Sequence, residues 1–186
     1  MQEETMERFP PRRTALKNGS EATVRPLLPE DAEALAAFYA SVPLEDIRFY
    51  CPHPLDRAHA LANAERAFSP LEVVLVLETE PGCIAGYAWY RWKAPNAERS
   101  TFGICVGRSV QGAGAGRALM TRLLEIAAEV GPPVMCLTVQ KANPRAVALY
   151  QSMGFKIVRE QMRGPKADGL FPPEPEYAME RVTRTP

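Results

Sequence analysis

The order of apolar runs and chain breakers predicts an α/β (α+β) protein whose strands outnumber its helices. Three observations carry that class. Residues 71–77 form an apolar run of the kind found in a strand covered on both faces. Phe102, Ile104 and Val106 alternate with Gly103 and Cys105 at the period of a strand. Directly after a glycine-rich stretch, Ala118-Leu119-Met120, Leu123-Leu124 and Ile126-Ala127-Ala128 recur at the helical period. Helices inserted singly among strands give a sheet of mixed direction.

The elements follow in order. Residues 1–20 mix charge with Pro10-Pro11 and Arg12-Arg13 and show little periodicity, so a flexible N-terminal arm is expected ahead of one domain spanning 21–186. A short strand over 22–27 leads to Pro29-Glu30-Asp31, which opens a helix carrying Ala32, Leu35, Ala36, Phe38 and Tyr39. Residues 44–68 read as one or two helices broken at Pro52-His53-Pro54, with Asp56 as a cap. The strand at 71–77 turns at Glu80-Pro81-Gly82 into a hairpin partner over 83–92. A further turn at 94–99 leads to the strand at 101–106 and the helix beyond the glycines. Gly131-Pro132-Pro133 breaks the chain before a β-branched strand at 134–139. Asn143-Pro144 then caps and opens a helix that ends at Gly154. Strands at 155–160 and 177–182 flank a Pro- and Gly-rich loop at 164–175, and no internal repeat is present.

Composition narrows the function. The chain has 186 residues, 46% apolar and 24% charged, and its 22 Lys and Arg balance 22 Asp and Glu. That is an ordinary globule large enough for one core, without the basic footprint of a nucleic-acid or membrane-surface binder. No apolar run approaches the roughly 20 residues of a membrane span, and the polar start lacks a signal-peptide core. Cys51, Cys83, Cys105 and Cys136 form no Cys-x-x-Cys pair, so free thiols in a reducing cytoplasm are expected. His53 and His59 are six apart with no third ligand in sequence, so no metal site is expected.

The stretch Val106-Gly107-Arg108-Ser109-Val110-Gln111-Gly112-Ala113-Gly114-Ala115-Gly116-Arg117 sits where a strand becomes a helix. A helix start presents unpaired N–H groups and the positive end of the helix dipole. Glycines there leave room for a phosphate to approach the backbone. Two common phosphate motifs fail on spacing. The NTPase loop requires Lys-Ser/Thr after its last glycine, and Arg117-Ala118 follow Gly116. The dinucleotide fingerprint needs glycine at 115 or 117, where Ala115 and Arg117 stand, and a carboxylate near 134. A nicotinamide dehydrogenase is disfavoured on these grounds.

The pattern Gln/Arg-x-x-Gly-x-Gly/Ala, met by Gln111, Gly114 and Gly116, resembles the acyl-CoA-binding motif of the GNAT N-acetyltransferase superfamily. The run Asn143-x-x-Ala146-x-x-Leu149-Tyr150-x-x-x-Gly154-Phe155 is similar to that family's second hallmark, in the right order and at the right separation. The resemblance is most specific over 101–158. It implies a mixed, mostly antiparallel central sheet of six to seven strands flanked by about four helices. It also implies an enzyme that moves an acetyl group from acetyl-CoA to a primary amine by direct attack in a ternary complex.

On that resemblance, N–H groups of Gln111, Gly112, Ala113, Gly114, Ala115, Gly116 and Arg117 bind the pyrophosphate. The Arg117 guanidinium adds a charge, and Arg108 does so less readily; surface solvation is the alternative for both. A bulge near Ile104, Cys105 and Val106 parts that strand from the one at 134–139, so that its open backbone pairs with the pantetheine arm. Asn143 caps its helix and also reaches the cofactor. Tyr150 is the general acid, against the alternative of a core aromatic on the stripe of Ala146 and Met153. No general base is identified: Glu98 and Glu78 read as solvated charges, and Cys105 and Cys136 as packing residues. The acceptor, a small molecule or a protein amino group, would lie among 40–68, 87–92 and 164–177. Tyr87, Trp89 and Trp92 either line it or pack within the sheet. Many members dimerise through sheet edges or the C-terminal strand. A non-catalytic acyl-CoA sensor on the same fold is the alternative function.

Overall fold

A computed structural model describes residues 1–50, 52–166 and 169–184; Cys51 and positions 167, 168, 185 and 186 lie outside the described residues. The strands are β1 (Arg12–Ala15), β2 (Glu21–Pro26), β3 (Glu72–Glu80), β4 (Cys83–Arg91), β5 (Arg99–Val106), β6 (Val134–Gln140), β7 (Lys156–Arg163) and β8 (Glu174–Val182). The helices are α1 (Glu3–Arg8), α2 (Ala32–Ser41), α3 (Leu44–Ile47), α4 (Arg57–Glu65), α5 (Ala115–Ala127) and α6 (Pro144–Ser152). Among the described residues, one sheet contains all eight strands in the order β1-β2-β3-β4-β5-β6-β8-β7. Every pairing is antiparallel except β5 with β6. The expected class holds, with one strand and two short helices more than expected.

The sheet is covered on both faces. Val73, Leu75 and Leu77 of β3 face a core built with Leu119, Leu123 and Ile126 of α5. Val74 and Val76 face the opposite way, onto Leu35, Phe38 and Tyr39 of α2 and Ala60 of α4. Such alternation is why the stretch 73–77 is apolar on both faces. Burying each of these large aliphatic side chains contributes about 1.5–3 kcal/mol. Asp56 caps α4, its carboxylate accepting from His59 N at 2.8 Å, and Pro52 to Pro54 separates α4 from α3 as the sequence indicated.

Residues 1–20 depart from the expected loose arm. Arg12 to Ala15 add an edge strand to β2, and Met1, Phe9 and Leu16 are buried in the α5 core. The cause lies on α5. Arg122, itself buried, donates to Pro10 O at 2.6 Å and places its guanidinium 5.3 Å from the Phe9 ring. Arg12 also reaches Glu125 at 2.6 Å. These partners are more than a hundred residues away in sequence, so local periodicity does not reveal them.

Phe9→Ala should therefore lower unfolding stability by about 3 kcal/mol, the lower range for removing a buried aromatic. Urea denaturation checks it. An unchanged midpoint would mean that the segment contributes no anchor.

Candidate active site

The site forms where β5 and β6 part. Their parallel ladder spans Arg99↔Val134 to Thr101↔Cys136 and then stops. β5 stays with β4 through Gly86↔Val106, and β6 stays with β8 through Gln140↔Glu176. The β4–β5 ladder carries no register shift, so the bulge expected near Ile104 to Val106 is not what opens the gap. Shifts fall instead between Leu77 and Glu78, between Glu78 and Glu80, and between Ile157 and Arg159. Two clefts flank the parting. One, about 670 Å³, runs toward the start of α5. The other, about 530 Å³, lies over β5, β6 and β8 beneath Tyr50 and Pro52. Phe49, Tyr50, Ile104, Thr138 and Tyr150 line both, so the clefts meet there.

The first cleft ends on the glycine turn. Gly112 and Gly114 hold φ of +76° and +97°, a left-handed backbone that glycine adopts without the steric cost of a side chain. Gly114 is the N-cap of α5 and brings no side chain to it. The helical ladder opens with Ala118 N donating to Gly114 O at 3.0 Å, which leaves the N–H groups of Ala115, Gly116 and Arg117 ahead of it. A Cβ on Gly112 would meet Arg145 Nη2 at 2.6 Å. Gln111 braces the turn by donating to Val106 O at 3.0 Å.

Of the residues expected to hold a cofactor, Ile104, Cys105, Val106, Gln111, Gly112, Gly114, Gly116, Arg117 and Asn143 line this cleft, together with Tyr150. Ala113 and Ala115 turn their methyl groups into the α5 core. Arg108 leaves the cleft altogether, binding Asp46 at 2.8 Å and Glu45 on α3. Two cations that sequence reasoning passed over take its place, Lys17 and Arg145. Neither has a carboxylate partner among the described residues. Lys17 is fixed by its backbone N–H, which donates to Ala113 O at 2.8 Å. Arg117 bonds Ser152 Oγ at 2.8 Å.

At the junction, Tyr150 packs edge-on to Phe102 with ring centroids 6.0 Å apart, and at the same distance from Phe155. Burial, with the nearby Cys105 thiol, pushes its hydroxyl well above the usual phenol range, so it holds its proton at neutral pH. Asn143 caps α6 by accepting from Ala146 N at 3.1 Å. Cys105 is buried and its thiol is pushed up to about 12, which leaves no thiolate for nucleophilic attack. Glu78 is held by Arg25 at 3.0 Å, far from this junction in the sheet order.

Of the three candidate acceptor aromatics, Trp89 alone lines the second cleft. Its ring lies across β5 because its partner there is Gly103, where a Cβ would fall 2.6 Å from Trp89 Cζ2. Tyr87 is fully buried, and Trp92 packs on Tyr90. Trp89 Nε1 donates to Tyr50 Oη at 3.0 Å, and Tyr50 Oη lies 3.0 Å from His53 Nε2. His53 and His59, unrelated by sequence spacing, stack with centroids 5.5 Å apart. Among the described residues no three His, Cys, Asp or Glu side chains converge as metal ligands.

The comparisons with known proteins agree with this geometry. The sequence pattern of the acetyltransferase (GNAT) family matches residues 37–155. The L-amino acid N-acyltransferase MnaT of Escherichia coli is 31% identical over 135 residues, 71% of this chain and 77% of that protein. A crystal structure of a GNAT-family acetyltransferase from Streptococcus pneumoniae is 27% identical and superposes with a TM-score of 0.72, covering 87% of this chain and 99% of that one. A structure of yncA from Salmonella typhimurium with its cofactor acetyl-CoA shares the fold at 24% identity and a TM-score of 0.71, over 87% and 94% of the two chains. With a family pattern over most of its length and a relative of this similarity, the chain belongs to the GNAT acetyltransferase family.

Proposed function

We propose that this protein transfers an acetyl group from acetyl-CoA to a primary amine by direct attack within a ternary complex, with Tyr150 as the general acid. The observation that carries this reading is the meeting of two clefts at Tyr150. One cleft suits the thioester donor and the other the amine.

The first cleft fits acetyl-CoA on three counts. The turn at 111–117 presents backbone N–H groups at a helix start, and a side chain on Gly112 would collide with Arg145 there. Lys17, Arg117 and Arg145 bring three positive charges to the same end, matching a ligand rich in phosphate. The open edges of β5 beyond Thr101 and of β6 beyond Cys136 offer backbone groups to the pantetheine amides, as an added strand would use them. Asn143, at the same edge, serves both its helix and that arm.

Bound there, acetyl-CoA supplies an activated acyl group on a good leaving thiolate. The chain has two tasks. It must hold the amine beside the thioester in the second cleft, and it must protonate the departing sulfur. Tyr150 suits the second task, since its raised proton affinity keeps the hydroxyl protonated until negative charge develops beside it. The free thiols at Cys83, Cys105 and Cys136 fit a reducing cytoplasm. The relative acting on L-amino acids makes free amino acids the first acceptors to test, followed by polyamines and peptide N-termini.

Thermal unfolding with acetyl-CoA, CoA and NAD tests the donor. A ligand at about 100 times its Kd adds about 2.7 kcal/mol, so both CoA species should raise the midpoint by several degrees and NAD should not. A shift with NAD alone would overturn the reading. Lys17→Ala and Arg145→Ala should each weaken acetyl-CoA binding by about tenfold, the loss of one charge-assisted contact. With acetyl-CoA and L-methionine, L-phenylalanine, spermidine or an alanine-terminated peptide, thiol release should be seen with at least one. Tyr150→Phe should then keep the thermal shift and lose turnover by about a hundredfold or more. A thermal shift without turnover in the unaltered protein would make it a binder rather than an enzyme.

A further inference from the structure

The acetyl-transfer reading leaves one step without a residue. An amine reaches the enzyme at neutral pH mostly as an ammonium, and it must lose a proton before nitrogen can attack. Among the described residues, the carboxylates that line the second cleft are Glu176 and Glu180, and both have partners. Glu180 is paired with Arg99, and Glu176 accepts from Gln161 Nε2 at 2.6 Å. A different group stands at the junction itself.

Tyr50 is 5% exposed and lines both clefts. Its Oη accepts from Trp89 Nε1 at 3.0 Å, which fixes the ring from the β4 side. The same oxygen lies 3.0 Å from His53 Nε2, while His53 Nδ1 lies 2.7 Å from Pro54 O. A carbonyl oxygen can only accept, so Nδ1 carries the ring hydrogen and Nε2 is the bare nitrogen. Tyr50 therefore donates its hydrogen to His53, accepts from Trp89, and keeps acceptor capacity for a group arriving in the cleft. The three hydrogen bonds then run one way, from Trp89 to Tyr50 to His53 to Pro54 O.

We propose that Tyr50 and His53 form the relay that removes the proton from the incoming amine, with Tyr50 Oη receiving it and His53 Nε2 storing it. The proposal rests on the acetyl-transfer reading. The ammonium gives its first proton to Tyr50 Oη as the Tyr50 hydrogen passes to His53. The freed nitrogen forms its bond to the acetyl carbon while the bond from that carbon to sulfur breaks. Tyr150 gives its proton to the sulfur and is refilled by the second proton that nitrogen loses. His53, half-exposed, returns the first to water. The sum is ammonium plus thioester to amide, thiol and one proton.

The surroundings keep His53 neutral and ready. Burial lowers its proton affinity first, and the cations Arg91 and Arg66 and the stacked His59 lower it further, against a raising bond to Pro54 O. Tyr39 and Tyr87 close the other sides with uncharged rings, at centroid distances of 5.8 and 6.3 Å. Asp56, the nearest acid in sequence, is bound to His59 at 2.8 Å.

The test is the pH profile of kcat/KM for the fastest of the four amines, measured for the unaltered protein, Tyr50→Phe, His53→Gln and Glu176→Gln. Retention of the thermal shift with acetyl-CoA checks that each variant is folded. With the relay intact, the profile should be flat from the ammonium pKa down to a limb below the ordinary histidine value of 6.5. Tyr50→Phe and His53→Gln must wait for free amine. At pH 7.5 they should lose rate by the ratio of total to free amine, about a hundredfold for an amine of pKa near 9.5 and about fourfold for a peptide α-amine, with a rate that climbs tenfold per pH unit and rejoins the unaltered enzyme near the ammonium pKa. A loss equal at all pH values would make both residues structural and overturn the relay, as would a limb that moves with Glu176→Gln instead. No turnover by the unaltered protein with any of the four amines would overturn the acetyl-transfer reading, and the relay with it.

Discussion

The parallel ladder between β5 and β6 ends at Thr101↔Cys136, and the candidate site depends on where it ends. Each strand keeps its outer partner, β4 for β5 and β8 for β6, so neither edge frays when the two part. The inner edges are left with backbone donors and acceptors and no strand to satisfy them. Tyr150, on the helix that follows β6, stands in the opening against Phe102 of β5. α5, which follows β5, starts at the far end of the gap. Pairing carried a few residues further would close the space in which both clefts meet.

The same parting separates two kinds of chemistry. Toward α5 the cleft is lined by glycine backbone and by the side chains of Lys17, Arg117 and Arg145. On the other side Trp89 and Tyr50 are held edge to edge by a hydrogen bond, with Gly103 making room for the indole. Cation–π contact of Arg91 on Trp89, 4.3 Å from guanidinium carbon to ring centroid, fixes that indole from behind.

Much of this was legible in the chain. The glycine turn at the start of α5, the cap at Asn143 and the position of Tyr150 all follow from local order, because helix starts and caps have short-range signatures. What could not be read are the contacts made across long separations. Lys17 sits in a segment without periodicity and is placed by Ala113, and that segment is itself anchored by Arg122. Arg108 looks like a phosphate ligand in sequence and is taken by α3. The opening of the sheet was expected from a bulge in β5. It comes instead from the end of pairing with β6, which only the register reveals. Tyr50 and His53 lie beside prolines in a stretch with no regular pattern, and Trp89 joins them from a strand nearly forty residues on.

In the proposed mechanism donor and acceptor meet in one space, with no acyl group resting on the protein. The buried Cys105 supports direct transfer, since its thiol, pushed up to about 12, stays protonated and so is a poor nucleophile. Initial rates measured while acetyl-CoA and the amine are varied together test this most directly. Direct transfer gives double-reciprocal lines that intersect, as required when both substrates are bound before either product leaves. Parallel lines, with an acetylated protein seen by mass spectrometry when acetyl-CoA is supplied alone, would contradict it.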